Sequence, residues 1–323
     1  MDTHAVNSHY QMKRLVILVL ILVPFMAKPR QRDTCYSGLY LKNLYDLKPE
    51  DYAYTASCWL WFDYKNKGFD PLKNAEVVNA RQAEFTDPYY AAADHSMRLA
   101  SETGKLTLIH DWQLKNYPFD RQTLLIELEA GLDTSKMILK AAPGNFKIHE
   151  DMHLPGWHIL GYSATETVAP YNSDFGERQL HGKSSYSRIT YQVNIARDCW
   201  GLFFKLLIGL YISFAVAYLV FFVPPIRDQR FGLSIGGLFA AVGNKYVMDS
   251  NIPATISFSF VDKIHDLTFL FILATLILSV CSLRIAENGN NPKAERFDRR
   301  SAAIVLSLYV ITNLVLITVA NKG

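Results

Sequence analysis

Three stretches without a single charged residue, 206–223, 267–283 and 302–320, constrain this chain more than anything else in it. Each approaches the roughly 20 residues a helix needs to cross a bilayer, and a water-soluble core has no use for three such runs in succession. The glycine-rich segment 231–248 between the first two carries one charge, Lys245, and makes a fourth, atypical span. The sequence therefore predicts helices over 201–223, 229–249, 262–284 and 300–320, in an all-α transmembrane domain of residues 199–323.

The rest of the chain is different. Half of the 323 residues are hydrophobic and a fifth are charged, but that average joins a segment 28–198 of net charge −2 to a segment 199–323 of net charge +4. The chain is too apolar for disorder, and four cysteines are too few for a disulfide scaffold. No basic patch is interleaved with aromatics, so nucleic acid is set aside as a partner.

At the start, Met12-Lys13-Arg14 precedes an apolar run too short to span, so 1–27 reads as a signal peptide that exports 28–198. The loops 224–230 and 284–300 then face the cytoplasm. They hold Arg227, Arg230, Arg284, Lys293, Arg296, Arg299 and Arg300, against Lys263 and Lys322 in the outer connections, as the positive-inside rule requires. The expectation is a multi-pass protein of the cell membrane with its amino-terminal domain extracellular or periplasmic.

In 28–198 the period is two. Leu106, Leu108, His110, Trp112 and Leu114 share one face of 105–114, and Ile189, Tyr191, Val193 and Ile195 alternate with polar residues. Leu124, Ile126 and Leu128 alternate with Glu127 and Glu129. Turn signals recur at Lys48-Pro49-Glu50-Asp51, Glu102-Thr103-Gly104, Tyr117-Pro118-Phe119-Asp120 and Leu154-Pro155-Gly156. Short half-buried strands between turns predict a β-sandwich.

Specific motifs extend this outline. Asn116-Tyr117-Pro118-Phe119-Asp120-Arg121-Gln122-Thr123-Leu124 resembles the signature loop of the pentameric ligand-gated ion channels, the family of the eukaryotic Cys-loop receptors and their bacterial relatives. Ser37-Gly38-Leu39-Tyr40-Leu41, Phe69-Asp70-Pro71, Gly156-Trp157-His158-Ile159, Ile195-Ala196-Arg197 and Asn251-Ile252-Pro253 follow in family order. His110 and Leu124 stand roughly where the bracketing cysteines would be, which resembles the bacterial branch. The segment between Pro71 and Leu106 is short and lacks the Trp-x-Pro pattern of the family's agonist pocket.

The resemblance implies an all-β ligand-binding sandwich ahead of four transmembrane helices, assembled as a homopentamer around an ion pore and gated by a small ligand or by protons. It makes Tyr117, Pro118, Phe119, Asp120, Arg197 and Pro253 a coupling zone between sandwich and pore. The region of Trp157 and the loop of Tyr171, Phe175 and Tyr186 would bind the ligand.

The pore itself has a periodic signal. Asp228, Gly232, Gly236, Phe239, Gly243, Tyr246 and Ser250 recur at steps of four or three and share one helical stripe. Small residues interrupted by two rings suit a wide channel with apolar constrictions; the same stripe would also suit tight packing on a neighbouring helix. In the pore, a ring of Asp228 at the cytoplasmic mouth favours cations, while Arg227 and Arg230 beside it leave the sign to side-chain direction. Lys245, near the outer end of its span, is expected to snorkel to the interface, with pairing to Asp262 or Asp266 as the alternative.

Two other functions compete: a membrane receptor of the same fold that does not conduct, and a metallopeptidase. His149-Glu150-Asp151-Met152-His153 satisfies the H-E-x-x-H pattern of zinc peptidases, whose chemistry needs both histidines on one helical face. Pro143-Gly144 and Pro155-Gly156 crowd it from both sides, which predicts a surface turn with no metal. No catalytic triad spacing or cofactor fingerprint is present, and neither enzymatic activity nor a cofactor is expected. Cys35 and Cys58 flank a hairpin near Pro49, with Cys58 opposite about Leu39 and no bridge expected.

Overall fold

The computed structural model describes residues 32–92, 97–249 and 258–322; the leader 1–27, Ser250 and Pro253 lie outside the described residues. Strands come first: β1 (Asp33–Lys48), β2 (Ala53–Tyr64), β3 (Ala75–Val77), β4 (Ala80–Ala92), β5 (Arg98–Ile109), β6 (Arg121–Asp133), β7 (Met137–Ile148), β8 (Trp157–Tyr171) and β9 (Ser184–Arg197). They form two sheets, ordered β4-β5-β2-β1-β7 and β3-β6-β9-β8. Alternation drives the layering. Ala56, Cys58, Leu60 and Phe62 of β2 and Ile189, Tyr191, Val193 and Ile195 of β9 are buried in one shared core, each large aliphatic or aromatic side chain contributing about 1.5–3 kcal/mol. This is the expected sandwich, with one parallel pairing, β1 with β7.

Three local expectations fail for identifiable reasons. Glu102-Thr103-Gly104 is not a turn but the middle of β5, where Gly104 faces Cys58. A Cβ on Gly104 would lie 3.0 Å from the Phe85 ring and 3.3 Å from Cys58 Sγ, so the glycine marks close packing rather than a bend. The strand expected over 105–114 leaves the ladder after Ile109, although Trp112 and Leu114 stay buried. Cys58 pairs with Leu41 rather than Leu39. Both Cys35 and Cys58 are free and buried, and burial pushes each thiol up to about 12.

Helices follow: α1 (Cys199–Tyr218), α2 (Gln229–Asp249), α3 (Phe260–Glu287) and α4 (Asn291–Lys322). Three helical stretches, Cys199–Phe222, Phe260–Glu287 and Asn291–Asn321, are long and apolar enough to cross a membrane. α2 is a continuous helix and is not among these three stretches. α4 begins well before the expected residue 300, because its apolar run marks only part of it: Asn290 Oδ1 accepts the Lys293 N–H at 3.2 Å and Pro292 occupies the first turn. α3 starts at a capping box in which Ser259 and Asp262 satisfy each other's backbone N–H groups. Gly237 allows α2 to approach α1, since a Cβ there would sit 2.6 Å from the Ser213 carbonyl oxygen.

At the end of the sandwich core, Glu102 points inward between the buried Ala100 and Gly104. Burial, and then the charge of Asp70, push its carboxyl from 4.5 up to about 7. Between those two values the unfolded chain has released this proton and the folded one retains it, so stability falls as pH rises through the interval. Thermal unfolding of the full chain in detergent should therefore show a Glu102→Gln variant gaining on the wild type as pH rises from 4.5 to about 7, with no further gain above that. A constant difference between the two would mean that Glu102 does not titrate there.

Candidate functional site

The β8–β9 hairpin brings together three of the aromatic residues expected to bind a ligand. Tyr171 closes β8, Tyr186 lies on β9, and Phe175 sits in the connection, with ring centroids 5.4, 5.7 and 5.9 Å apart. The connection is held by its own polar groups: Asp174 accepts the Gly176 N–H at 3.0 Å and the Gly182 N–H at 3.3 Å, and Ser184 Oγ donates to the Ser173 carbonyl at 2.6 Å. Lys136 pairs with Glu177 from outside.

Under the rings lies a cavity of about 430 Å³, whose other walls include Lys73, Asn74, Glu76, Glu129 and Gly131. Gly131 N donates to the Asn74 carbonyl at 2.6 Å, and a Cβ on Gly131 would press on that carbonyl at 3.0 Å. This close approach joins the two walls. The polar floor is a charge-assisted network: Arg188 donates to Glu129 at 2.7 Å, and Tyr171 Oη donates to Glu129 at 3.0 Å and accepts from Arg188 at 3.0 Å. Burial, and then the hydrogen bond to Glu129, raise the Tyr171 phenol above its ordinary value, so it stays a neutral donor.

Neither Glu129 nor Arg188 is among the site residues expected from the sequence. Alternation places Glu129 on the solvent face with Glu127, whereas it is 4% exposed. The signal that would have found it is the cross-strand pair itself, since Glu129 lies directly opposite Arg188. Reading that pair requires the register of β6 on β9.

Trp157 does not join this cavity. It sits at the other end of β8, buried against Trp112 with ring centroids 6.1 Å apart. There the signature loop and the end of β9 form a second cluster. Arg197 donates to Asp120 through Nε at 2.7 Å and a terminal nitrogen at 3.0 Å. Its guanidinium lies 4.0 Å from the Trp157 ring centroid and 5.0 Å from that of Tyr117. Gln122 donates to the same carboxylate at 2.9 Å. Pro118 follows Tyr117 through a cis bond, and Phe119 projects into the helices, its ring centroid 5.5 Å from those of Trp200 and Phe260 and 5.7 Å from that of Phe203. The Phe260 N–H donates to the Lys115 carbonyl at 2.8 Å. The loop thus touches the starts of α1 and α3 at once.

On α2, Arg230, Ser234, Gly237, Ala241 and Met248 are buried, while Gly232, Gly236, Phe239, Gly243 and Tyr246 are exposed. Phe239 is 70% and Tyr246 79% exposed. Nothing lies within 4 Å of a Cβ built on Gly232, Gly236 or Gly243. Asp228, just before the helix, is exposed with Arg227, but Arg230 turns away from the stripe, fully buried, with one terminal nitrogen 3.1 Å from each Asp298 oxygen. Lys245 pairs with Asp262 and with Asp249.

The H-E-x-x-H segment is a turn between β7 and β8, with the Met152 N–H donating to the His149 carbonyl at 3.0 Å and His149 Nδ1 2.8 Å from Tyr40 Oη. Without a helix, His149 and His153 do not share a face, and among the described residues no group of three or more His, Cys, Asp or Glu side chains is arranged to hold a metal. A scan against protein-family models finds no match to this chain, and neither does a search of curated proteins.

Proposed function

We propose that this chain is the subunit of a homopentameric ion channel of the pentameric ligand-gated family, bacterial branch, gated by a small ligand or by protons and conducting cations. The observation that carries this is the exposed face of α2. That helix buries its other face on α1 and α3 and is not among the three stretches long and apolar enough to cross a membrane, yet it leaves Gly232, Gly236, Phe239, Gly243 and Tyr246 unpacked. Copies arranged as a ring resolve the conflict: the stripe lines a water-filled path, and Phe239 and Tyr246 narrow it where dewetting can gate.

The burial of Arg230 supports the cation preference. Its charge is engaged by Asp298, which leaves Asp228 and Arg227 as the charges near the stripe's start, and Asp228 is the one in phase with it. Phe119 between α1 and α3, with Asp120 locked to Arg197, supports transmission from the sandwich. The ring-lined cavity under the β8–β9 hairpin offers an aromatic site for a small amine or aromatic ligand. Trp59 and Trp61 line a groove of about 450 Å³ on the other sheet, so a head-to-tail ring of copies presents one face of each kind at every interface. In this reading the membrane is the cell membrane, and the sandwich lies outside.

Purified full chain in planar bilayers should form pentamers with unitary cation currents, and Asp228→Asn should shift the reversal potential towards loss of cation preference. A folded pentamer silent under acid and under a panel of amines would instead identify a receptor that does not conduct. An unchanged reversal potential would remove Asp228 from the selectivity role.

A further inference from the structure

Gln122 on β6 holds the end of β5 through an amide whose orientation its partners fix. Its Nε2 donates to the Asp120 carboxylate at 2.9 Å and to the Gln113 carbonyl at 3.2 Å, and both of these only accept. Oε1 is therefore the atom that receives the Gln113 N–H at 3.1 Å and that faces His110 Nε2 at 3.3 Å. An amide oxygen cannot donate, so His110 carries its proton on Nε2 and gives it to Gln122. Its Nδ1 has no hydrogen-bond partner among the described residues.

This bond closes a circuit of contacts. The His110 ring meets Trp112 edge to face with centroids 4.7 Å apart, Trp112 meets Trp157 at 6.1 Å, and Trp157 carries the Arg197 guanidinium at 4.0 Å. Arg197 holds Asp120, Asp120 holds Gln122, and Gln122 returns to His110. The circuit ties the end of β5 to β6, β8 and β9 at the base of the signature loop. Its histidine is the member whose charge changes between weak acid and neutrality.

Little around the imidazole answers a second proton. On β2, Tyr54 lies edge to face with it at 6.0 Å, and burial keeps that phenol neutral. Asp120 stands behind the Gln122 amide and is already engaged by Arg197, which leaves Asp111, next in the chain and exposed. Burial lowers the imidazole from its ordinary 6.5, and the Gln122 bond and the Asp111 charge, which act the other way, do not make up the difference. As pH falls the unfolded chain therefore takes this proton before the folded one does. The stability tied to the neutral ring is complete above 6.5 and is lost below it.

We infer that the bond from His110 to Gln122 is an acid-released clasp: the neutral ring holds β5 to the base of the signature loop, and a proton on Nδ1 turns the ring out to water and loosens residues 111–121. The motion is confined to the side chain, because the His110 N–H stays on the Tyr52 carbonyl at 2.8 Å and the half-buried ring already reaches solvent. The clasp requires neither conduction nor assembly. In the channel proposed above, and resting on that reading, it gives protons a route to Phe119.

Hydrogen exchange of the full chain in detergent, compared at about pH 7.5 and about pH 5.5 and corrected for the intrinsic pH dependence of exchange, tests this. In the wild type, residues 111–121 should exchange about fivefold faster in acid after that correction. His110→Gln keeps an amide N–H towards Gln122 but takes up no proton, and its exchange in this segment should differ less than about twofold between the two conditions. Gln122→Ala should show the fast exchange at both. His158→Gln, which removes the other imidazole at this end of the sandwich, should respond to acid as the wild type does. An unchanged wild-type segment, or a His110→Gln response equal to that of the wild type, overturns the clasp. Should His110→Gln not fold, a full acid response persisting in Gln122→Ala overturns it instead. Exchange reads the clasp without current, so a chain that never conducts still returns one result or the other. Acid-evoked currents equal in wild type and His110→Gln would remove the clasp from gating and leave the channel standing.

Discussion

Asp298→Ala is expected to destabilise the helical bundle by about 3–5 kcal/mol, the cost of stranding a buried charge. Arg230 is fully buried, and the only nitrogen of its guanidinium with a partner among the described residues is the one that reaches Asp298; Nε and the other terminal nitrogen have none. Removing the carboxylate leaves the whole guanidinium buried and uncompensated. The pair itself need not stabilise the fold, because its desolvation cost offsets most of its attraction. Arg230→Met combined with Asp298→Leu should therefore recover most or all of the loss, as buried pairs replaced by hydrophobic residues commonly do. Unfolding of the full chain in detergent gives both numbers. A double variant as unstable as Asp298→Ala would show that the pair is required for more than mutual neutralisation, and a single variant within about 1 kcal/mol of wild type would place water or lipid in contact with Arg230.

The same pair marks a boundary in what the sequence discloses. Arg227, Asp228 and Arg230 are close in the chain, and periodicity alone left open which of them faces the stripe. What separates them is Asp298, far along the chain on another helix, and no local pattern announces that partner. Glu129 repeats the lesson in the sandwich: the two-residue period correctly lists Leu124, Ile126 and Leu128 as core, then misplaces Glu129 because its burial depends on Arg188 across the ladder. Period and composition report how each segment divides between apolar and polar faces, and so they anticipate the two layers and the helices. They are silent on pairing between segments, which is where both charged clusters arise.

Glycines show the same limit in miniature. Gly104 reads as a turn from its neighbours, but its role is to let Phe85 and Cys58 close over β5. Gly236 and Gly237 are adjacent and chemically identical, yet one is exposed and the other is pressed against the Ser213 carbonyl. The aromatic expectations divide likewise. Tyr171, Phe175 and Tyr186 converge because one hairpin carries all three, a local fact. Trp157 starts the same strand that Tyr171 ends, and the length of β8 carries it to the opposite end of the sandwich.

Asp120→Ala should be the second severe substitution, and it tests whether the junction of sandwich and helices is held by charge or by rings. Asp120 is 2% exposed and carries both guanidinium bonds of Arg197 as well as the amide of Gln122. Without it, Arg197 keeps only the faces of Trp157 and Tyr117, worth on the order of 2 kcal/mol when desolvated, against the about 3–5 kcal/mol lost when one member of a buried pair is removed. A net loss of about 1–3 kcal/mol is expected for the full chain in detergent. Arg197→Lys should cost about as much although it keeps the charge, because an ammonium cannot reproduce the two-bond fork while lying over the indole. If Arg197→Lys matches wild type while Asp120→Ala does not, the junction needs a cation and not a guanidinium. If Asp120→Ala is neutral, the rings alone hold Arg197, and Asp120 has no part in fixing Phe119 between Trp200, Phe203 and Phe260.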